Sequence, residues 1–241
     1  MRAVIAHARM ELVLTLRRGE SLLATLGIPV GVLVFFSQVD VVDTGFDEPL
    51  DFLVPGVLAL AVVAAGMVSL GIATGFERRY GVLKRLGVTP LGRRGLVVAK
   101  IAAVVALELV QVLVLLAVAA VLGWDLPSGL AIAVGWLLAG TVAFGGLGLL
   151  MAGTLRAEGT LALTNGLYVA FILVGGVAVP LDRLPGWLAA VSKALPAAQL
   201  TEVVRGTLVA GADVPVWAWA GLLAWAVAAP ALAAATFRFE E

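Results

Sequence analysis

Residues 76–95 read FERRYGVLKRLGVTPLGRRG, a stretch with six Arg or Lys against one acid, standing between two long apolar runs. Loops rich in Lys and Arg stay on the cytoplasmic side of a membrane. The stretch therefore indicates both that the chain is membrane-embedded and which way round it sits. Composition agrees, because 62% hydrophobic and 13% charged residues, with a mean hydropathy of +1.09, leave too little polar surface to solvate a globular domain. The formal net charge of zero decides nothing, since in such a chain charges count by side. With no cysteine, a disulfide framework, a thiolate nucleophile and a Cys-ligated metal are excluded. The excess of Ala, Val, Gly and Leu, with Arg favoured over Lys, suits a high-GC bacterial genome.

Crossing the hydrocarbon takes about 20 helical residues. Six stretches qualify, at 20–37, 52–75, 96–123, 129–153, 160–179 and 214–237. The expected fold is an all-α integral membrane protein, a single transmembrane domain over 1–241. Four Arg precede and interrupt the first apolar stretch, and no short apolar core with a small-residue cleavage site follows. The first span is thus expected to remain as an anchor. With an even number of spans, Arg2, Arg9, Arg17, Arg18, the 76–95 loop, Lys100, Arg156 and Arg238 share one side, which holds 13 of the 16 basic residues. The other side holds Arg183, Lys193 and Arg205 beside Asp40, Asp43, Asp47, Glu48, Asp51, Asp125, Asp182, Glu202 and Asp213. Both termini are expected in the cytoplasm.

Three pieces do not span. In residues 1–19, Ile5, Ala8, Leu12 and Leu16 make an apolar stripe at helical spacing and His7, Glu11 and Arg18 a polar one, as in an interfacial elbow helix; a basic lead-in to the first span is the plainer reading. His7 is the only histidine and lacks the companions a metal ligand needs, so it reads as a polar-face residue. In 76–95, a helix over 78–88 would place Tyr80, Val82, Leu83 and Leu86 on one arc and Arg78, Lys84 and Arg85 on the other. Thr89-Pro90 would then stop it. An orienting basic loop and a docking surface for a soluble partner fit this pattern equally.

The third piece, 180–213, is too polar and too interrupted by proline to cross. Leu184, Trp187, Leu188, Val191 and Leu195 form one helical apolar face, and a second short helix from about Pro196 to Leu208 presents Leu200, Val203 and Val204. A re-entrant helical hairpin on the outer side fits, its backbone satisfied by protein or water; an interfacial loop anchored by Trp187 is the alternative.

Polar residues inside spans are few. Glu108 lies mid-span with Gln111 on the same helix face, and a membrane-buried carboxylate points by default to a pathway or a partner. A protonated or structurally hydrogen-bonded carboxyl is the competing reading; substrate-cation recognition and a proton-coupled step are both compatible with the first. Asn165 and Tyr168 either line a path or stitch helices together, with packing favoured. Gly27/Gly31, Gly71/Gly75 and Gly145/Gly146/Gly148 permit close helix approach.

Glu77-Arg78-Arg79-Tyr80-Gly81-Val82-Leu83-Lys84-Arg85-Leu86, then Val88-Thr89-Pro90, then Lys100 opening the next span, resembles the segment after the second span of ABC-2 type transporter permeases. The closing stretch, with Leu184-Pro185, Trp187-Leu188, Leu195-Pro196, Arg205-Gly206 and Gly211, is similar to that family's outer helices. The resemblance covers essentially the whole chain; Ala99 stands where a glycine is more usual before Lys100. It implies a membrane subunit of an ATP-driven exporter in the bacterial cytoplasmic membrane, paired with itself or a paralogous permease and served by a separate ABC ATPase subunit. It also implies that Glu77, Arg78, Arg79, Lys84 and Arg85 transmit motion from that ATPase, with Tyr80, Leu83 and Leu86 as packing contacts. Glu108, Gln111, Asn165 and Tyr168 become candidates for the translocation path, and Trp187, Pro196 and Arg205 for the outer hairpin.

The chain has no G-x-x-x-x-G-K-[ST] phosphate loop, G-x-S-x-G or H-E-x-x-H. Neither ATP hydrolysis nor another catalysis is therefore expected in it, nor any cofactor of its own; ATP and Mg would be held by the partner subunit. Membrane lipids are expected partners and nucleic acid is not. A secondary transporter, for which an internal repeat is the usual sign, and an importer membrane subunit are the rival classes. Apolar spans with one buried acid favour an amphipathic or hydrophobic cationic substrate of drug-like or lipid-like character.

Overall fold

The computed structural model describes residues 2–17, 19–38, 48–87 and 92–239, with the side chains of 2–4, 14–17, 19–25, 86 and 87 left out. Among the described residues the secondary structure is helical throughout, as the composition requires. The order is α1 (Arg2–Arg17), α2 (Gly19–Ser37), α3 (Pro49–Val63), a π-helical stretch (Ala64–Ser69), α4 (Leu70–Arg79), α5 (Val82–Gly87), α6 (Gly92–Val121), α7 (Leu130–Thr154) and α8 (Ala157–Val174), then a 3-10 turn (Leu181–Arg183), α9 (Gly186–Ala194), α10 (Pro196–Leu208) and α11 (Val216–Thr236).

Among the described residues, five helices are long and apolar enough to cross a membrane: Pro49–Arg79, Gly92–Val121, Leu130–Thr154, Ala157–Val174 and Val216–Thr236. The chain is a multi-pass membrane protein. The crossing expected at 20–37 is not among the five, because the described apolar part of α2 is only Leu26–Ser37. The span expected at 52–75 is longer than its apolar run. It starts at Pro49, a proline at the first helical turn where its missing N–H costs nothing, and continues unbroken through the π-helical stretch to Arg79. Glu77, Arg78 and Arg79 thus belong to the end of a spanning helix.

The expected single helix over 78–88 does not form. Tyr80 and Gly81 make a turn, Gly81 with a φ of +71°, a left-handed conformation that glycine adopts without the Cβ penalty. Helix α5 starts afresh at Val82. The Val88-Thr89-Pro90 stop lies outside the described residues, as do the side chain of Leu86, Arg18 and the acids Asp40, Asp43 and Asp47. The expected span at 160–179 ends early, at Val174, where Gly175 and Gly176 (φ +72°) turn the chain. Helices α9 and α10 are each entered through a proline, Pro185 and Pro196, and α9 is shorter than the face expected for it, because Leu184 and Leu195 fall outside Gly186–Ala194.

Helix α7 is the centre of the bundle, packing on α3, α4, α6, α8, α10 and α11. It carries no charged residue, and its glycines set the spacing. A Cβ on Gly148 would stand 2.8 Å from the carbonyl oxygens of Gly66 and Met67, and one on Gly146 would stand 2.4 Å from the nitrogen of Pro230 in α11. Small residues are what let apolar helices approach this closely. Gly27 and Gly31, by contrast, face open space. The apolar interior divides into a large cluster, including Leu33, Met67, Val112, Leu115, Phe144 and Leu200, and a smaller one of Leu70, Val97, Ile101, Leu149 and Ala233.

Candidate functional site

At the end of the bundle that bears the basic loop, Lys100 of α6 is 1% exposed and donates to two carboxylates, Oε1 of Glu11 in α1 and Oε2 of Glu77 in α4, each at 2.7 Å. His7, one turn before Glu11, adds a contact from Nε2 at 3.3 Å. One buried ammonium therefore ties three helices. A buried ion of this kind is tolerable only when its partners satisfy it. Burial alone would raise the Glu11 pKa, but the His7 hydrogen bond and the Lys100 ammonium outweigh it and bring the group from 4.5 to about 2. The polar stripe of α1 faces inward onto α6, whereas Ile5, Met10 and Val13 are exposed. His7, expected on a solvated polar face, is buried.

Arg78 is buried too. Its guanidinium donates at 2.6 Å from Nη1 to the Ala152 carbonyl and at 2.6 Å from Nη2 to the Leu155 carbonyl. Helix C-termini carry orphan carbonyls and a partial negative charge, so the cation caps the end of α7. Arg79 pairs with Glu158 in the first turn of α8. Side by side on one helix end, Glu77, Arg78 and Arg79 thus reach α6, α7 and α8.

Across the Tyr80-Gly81 turn, α5 presents a different surface. Leu83 is fully buried and clusters with Leu96 of α6 and Phe237 just past α11. Tyr80, 72% exposed, stands outside with Val82, Lys84 and Arg85; the Tyr80 ring stacks on Phe76 at 6.1 Å. The arc expected to carry Tyr80, Val82, Leu83 and Leu86 together is therefore split, with Leu83 turned inward and Tyr80 and Val82 outward. Sequence reasoning missed Glu11 as part of this constellation. A His and a Glu one turn apart read as a solvated polar stripe, and only Lys100, 89 residues on, turns that stripe inward.

In the bundle's middle, Glu108 is 1% exposed, and neither carboxyl oxygen has a hydrogen-bond partner among the described residues. Such a group costs stability, about 1–3 kcal/mol when a neutral buried polar atom is orphaned. It lies between the two apolar clusters: Val104, one turn toward Lys100, packs with the smaller and Val112 with the larger. Gln111 is buried one turn on. Asn165 is exposed and donates to the Leu161 carbonyl of its own helix at 2.9 Å, and Tyr168 is half-buried against the larger cluster. Asn165 and Tyr168 belong to α8, whereas Glu108 and Gln111 belong to α6.

At the opposite end, α10 packs on α3, α7 and α11. Arg205 donates to Glu202 Oε1 at 2.9 Å and to the Gly176 carbonyl at 2.7 Å, and its guanidinium sits 4.3 Å from the centre of the Phe52 ring. Pro196 is buried at the α9–α10 corner and Trp187 is exposed. A cavity of about 650 Å³ opens here, lined among others by Asp182, Lys193, Glu202, Arg205 and Trp217. No group of three or more His, Cys, Asp or Glu able to hold a metal occurs among the described residues.

An all-helical, multi-pass bundle whose basic end is tied by buried ion pairs, and whose opposite end is capped by a helical hairpin, is the class the geometry defines. A model of the ABC-2 type transporter family matches residues 2–209, and the chain belongs to that family, as an ABC transporter membrane subunit. Among curated proteins, none matches this chain.

Proposed function

We propose that the chain is the permease subunit of an ATP-driven exporter, coupled through its basic end to a separate ABC ATPase subunit. The observation that carries the coupling is the division of labour around Tyr80-Gly81. On one side, Glu77, Arg78 and Arg79 engage α6, α7 and α8. On the other, Tyr80, Val82, Lys84 and Arg85 are exposed on a short helix seated by Leu83. A force applied to the exposed residues passes through Leu83 and the three tied residues into α6, α7 and α8 at once, and through Phe237 into the segment just past α11. Alternation between states then needs only that the partner contact the two states differently.

In this reading the basic end is cytoplasmic, the protein sits in a bacterial cytoplasmic membrane with both termini inside, and α2 completes a sixth crossing. Two copies, or one copy and a paralogous permease, enclose the path, and ATP and Mg are bound by the ATPase. The exposed apolar side of α1, with Ile5, Met10 and Val13, lies against lipid as an elbow helix. The substrate is amphipathic, entering between apolar helices.

The test is affinity purification of the tagged chain from its native membranes with identification of the captured subunit and measurement of its ATPase activity. Lys84 and Arg85 changed together to Ala are expected to release the ATPase while the permease keeps its melting temperature. Retention of a stoichiometric, active ATPase by that variant would overturn the docking assignment. An intact permease with no ATPase at all would move the protein to the secondary transporters.

A further inference from the structure

Glu108 is a mid-membrane acid with no counter-charge against it among the described residues. Lys100, eight residues earlier on the same helix, lies about 12 Å nearer the basic end at helical rise and is engaged by Glu11 and Glu77. The elements packed on α6 include α1, α2, α3, the π-helical stretch, which carries no charged residue, α4, α5, α7 and α11. Of these, α7 and α11 carry no charged residue. The described charges of α1 include His7, Arg9 and Glu11, those of α4 are Glu77, Arg78 and Arg79, and those of α5 are Lys84 and Arg85, all at the basic end. Asp51 of α3 lies at the other end, where its Oδ1 accepts from the Trp124 indole at 2.9 Å. The side chain of Glu20 in α2 lies outside the described residues.

Three occupants are conceivable for such a carboxylate: a proton in transit, a metal ion, or an organic cation. A proton relay needs a chain of hydrogen-bonding groups, and none reaches either oxygen of Glu108 among the described residues. From Leu109 to Val121, α6 offers no further titratable residue to carry a proton onward. Hard metal ions take six or more oxygen ligands, and no cluster of acids or histidines forms among the described residues. On α6, one turn to either side of Glu108, Val104 packs in the smaller apolar cluster with Leu70, and Val112 belongs to the larger one with Met67 and Leu115. A lone buried carboxyl, costly to ionise in such a place, is complemented by a single delocalised positive charge on an apolar body, which offsets that cost.

From this geometry we infer that Glu108 is the recognition site for a lipophilic monovalent organic cation, which enters where the two apolar clusters meet when the helices around α6 part. The inference rests on the permease reading and narrows its substrate from amphipathic compounds in general to cations. Glu108 supplies the charge, and Gln111, buried on the same face one turn away, is a polar neighbour beside it. An uncharged molecule of the same shape gains nothing from Glu108 and must leave the carboxyl unpaired.

The test uses the full-length permease in lipid nanodiscs, with radiolabelled tetraphenylphosphonium as the probe and tetraphenylmethane as its neutral counterpart. The expected result is saturable binding above that of empty nanodiscs, competed by unlabelled tetraphenylphosphonium and not by tetraphenylmethane. Glu108→Gln is expected to weaken binding at least tenfold, and Glu108→Asp, which keeps the charge, to weaken it less. The melting temperature of both variants is measured alongside, and Glu108→Gln is expected to melt no lower than the parent. Equal binding by parent and Glu108→Gln, equal competition by tetraphenylmethane, or no saturable binding by the parent would each overturn the inference. Because binding is read on the permease alone, loss of the ATPase partner in the purification experiment would sink the exporter reading and leave this result standing.

Discussion

Replacing Lys100 by Met removes the one cation that Glu11 and Glu77 share, while keeping a side chain of similar length. Both carboxylates then face a neutral thioether across a site where Lys100 is 1% exposed and the acids are 16% and 23% exposed. Removing one partner of a buried pair costs about 3–5 kcal/mol, and the partial exposure of the acids puts the expectation at the lower end. Glu11 is held at about 2 instead of 4.5 by His7 and Lys100 together, a shift that corresponds to about 3 kcal/mol of stabilisation of the ionised form, of which Lys100 supplies a part. The folded pKa is below the unfolded one, so this stabilisation is fully present above about pH 4.5 and is lost as pH falls through about 2. Between pH 7 and pH 5 the parent's Glu11 contribution is therefore constant. In Lys100→Met the facing carboxylates repel, one of them binds a proton more readily, and the variant gains stability as pH falls over the same window. The assay is thermal unfolding in nanodiscs, followed by intrinsic fluorescence, at pH 7 and pH 5. Lys100→Met is expected to melt well below the parent at pH 7 and to close part of the gap at pH 5. Adding Glu11→Gln and Glu77→Gln should restore most of the loss, since a neutral site of similar volume avoids the buried charges. A variant that melts with the parent at pH 7, or a triple variant no better than the single one, would refute the ionic tie.

Gly148→Ala puts a Cβ 2.8 Å from two backbone oxygens of the π-helical stretch, and overpacking of this kind costs about 1–3 kcal/mol; Gly27→Ala, with open space around it, should leave the melting temperature unchanged or raise it. Arg78→Lys keeps the charge but cannot hold both the Ala152 and Leu155 carbonyls in the planar two-nitrogen geometry. A loss of about 1–3 kcal/mol follows, together with faster proteolytic cleavage at the Leu155–Arg156 corner, read by limited proteolysis. Leu83→Ala empties a fully buried site at about 2–5 kcal/mol, whereas Tyr80→Ala, on an exposed side chain, should leave melting unchanged and lower ATPase capture alone.

Apolar runs and proline positions made most of the fold legible. The apolar runs read at 96–123 and 129–153 overlap α6 and α7 over most of their length, because a run of about 20 mostly apolar residues has few other structures open to it. Pro196 marked the start of α10 in the same way, by the backbone a proline forbids before it, whereas the face read from Leu184 to Leu195 overran both ends of α9. The 76–95 segment was legible in its chemistry and not in its geometry. A helical projection assumes one axis, and Gly81 ends that axis two residues after Arg79. Arg78 consequently turned into the protein and Tyr80 away from it. Glu11 was beyond reach for another reason: its role exists only through Lys100, and nothing local in residues 1–19 announces a partner so distant in the chain. Glu108 was legible as an anomaly, but its lack of a partner is a property of the folded bundle alone.

The seat of Leu83 also bears on how this protein can be cut and tagged. Phe237, fully buried, forms one wall of that seat, and its ring fills the space that a Cβ on Gly153 would need, 2.5 Å away. The amide of Arg238 donates to the Gly153 carbonyl at 3.1 Å, so the chain is still docked two residues past the last helix. The family match ends at residue 209, yet a truncation drawn at that border, or an affinity tag fused directly after Thr236, would strip the support from beneath α5. Fusions belong beyond Phe239, which packs edge-on against Phe237 at 5.7 Å.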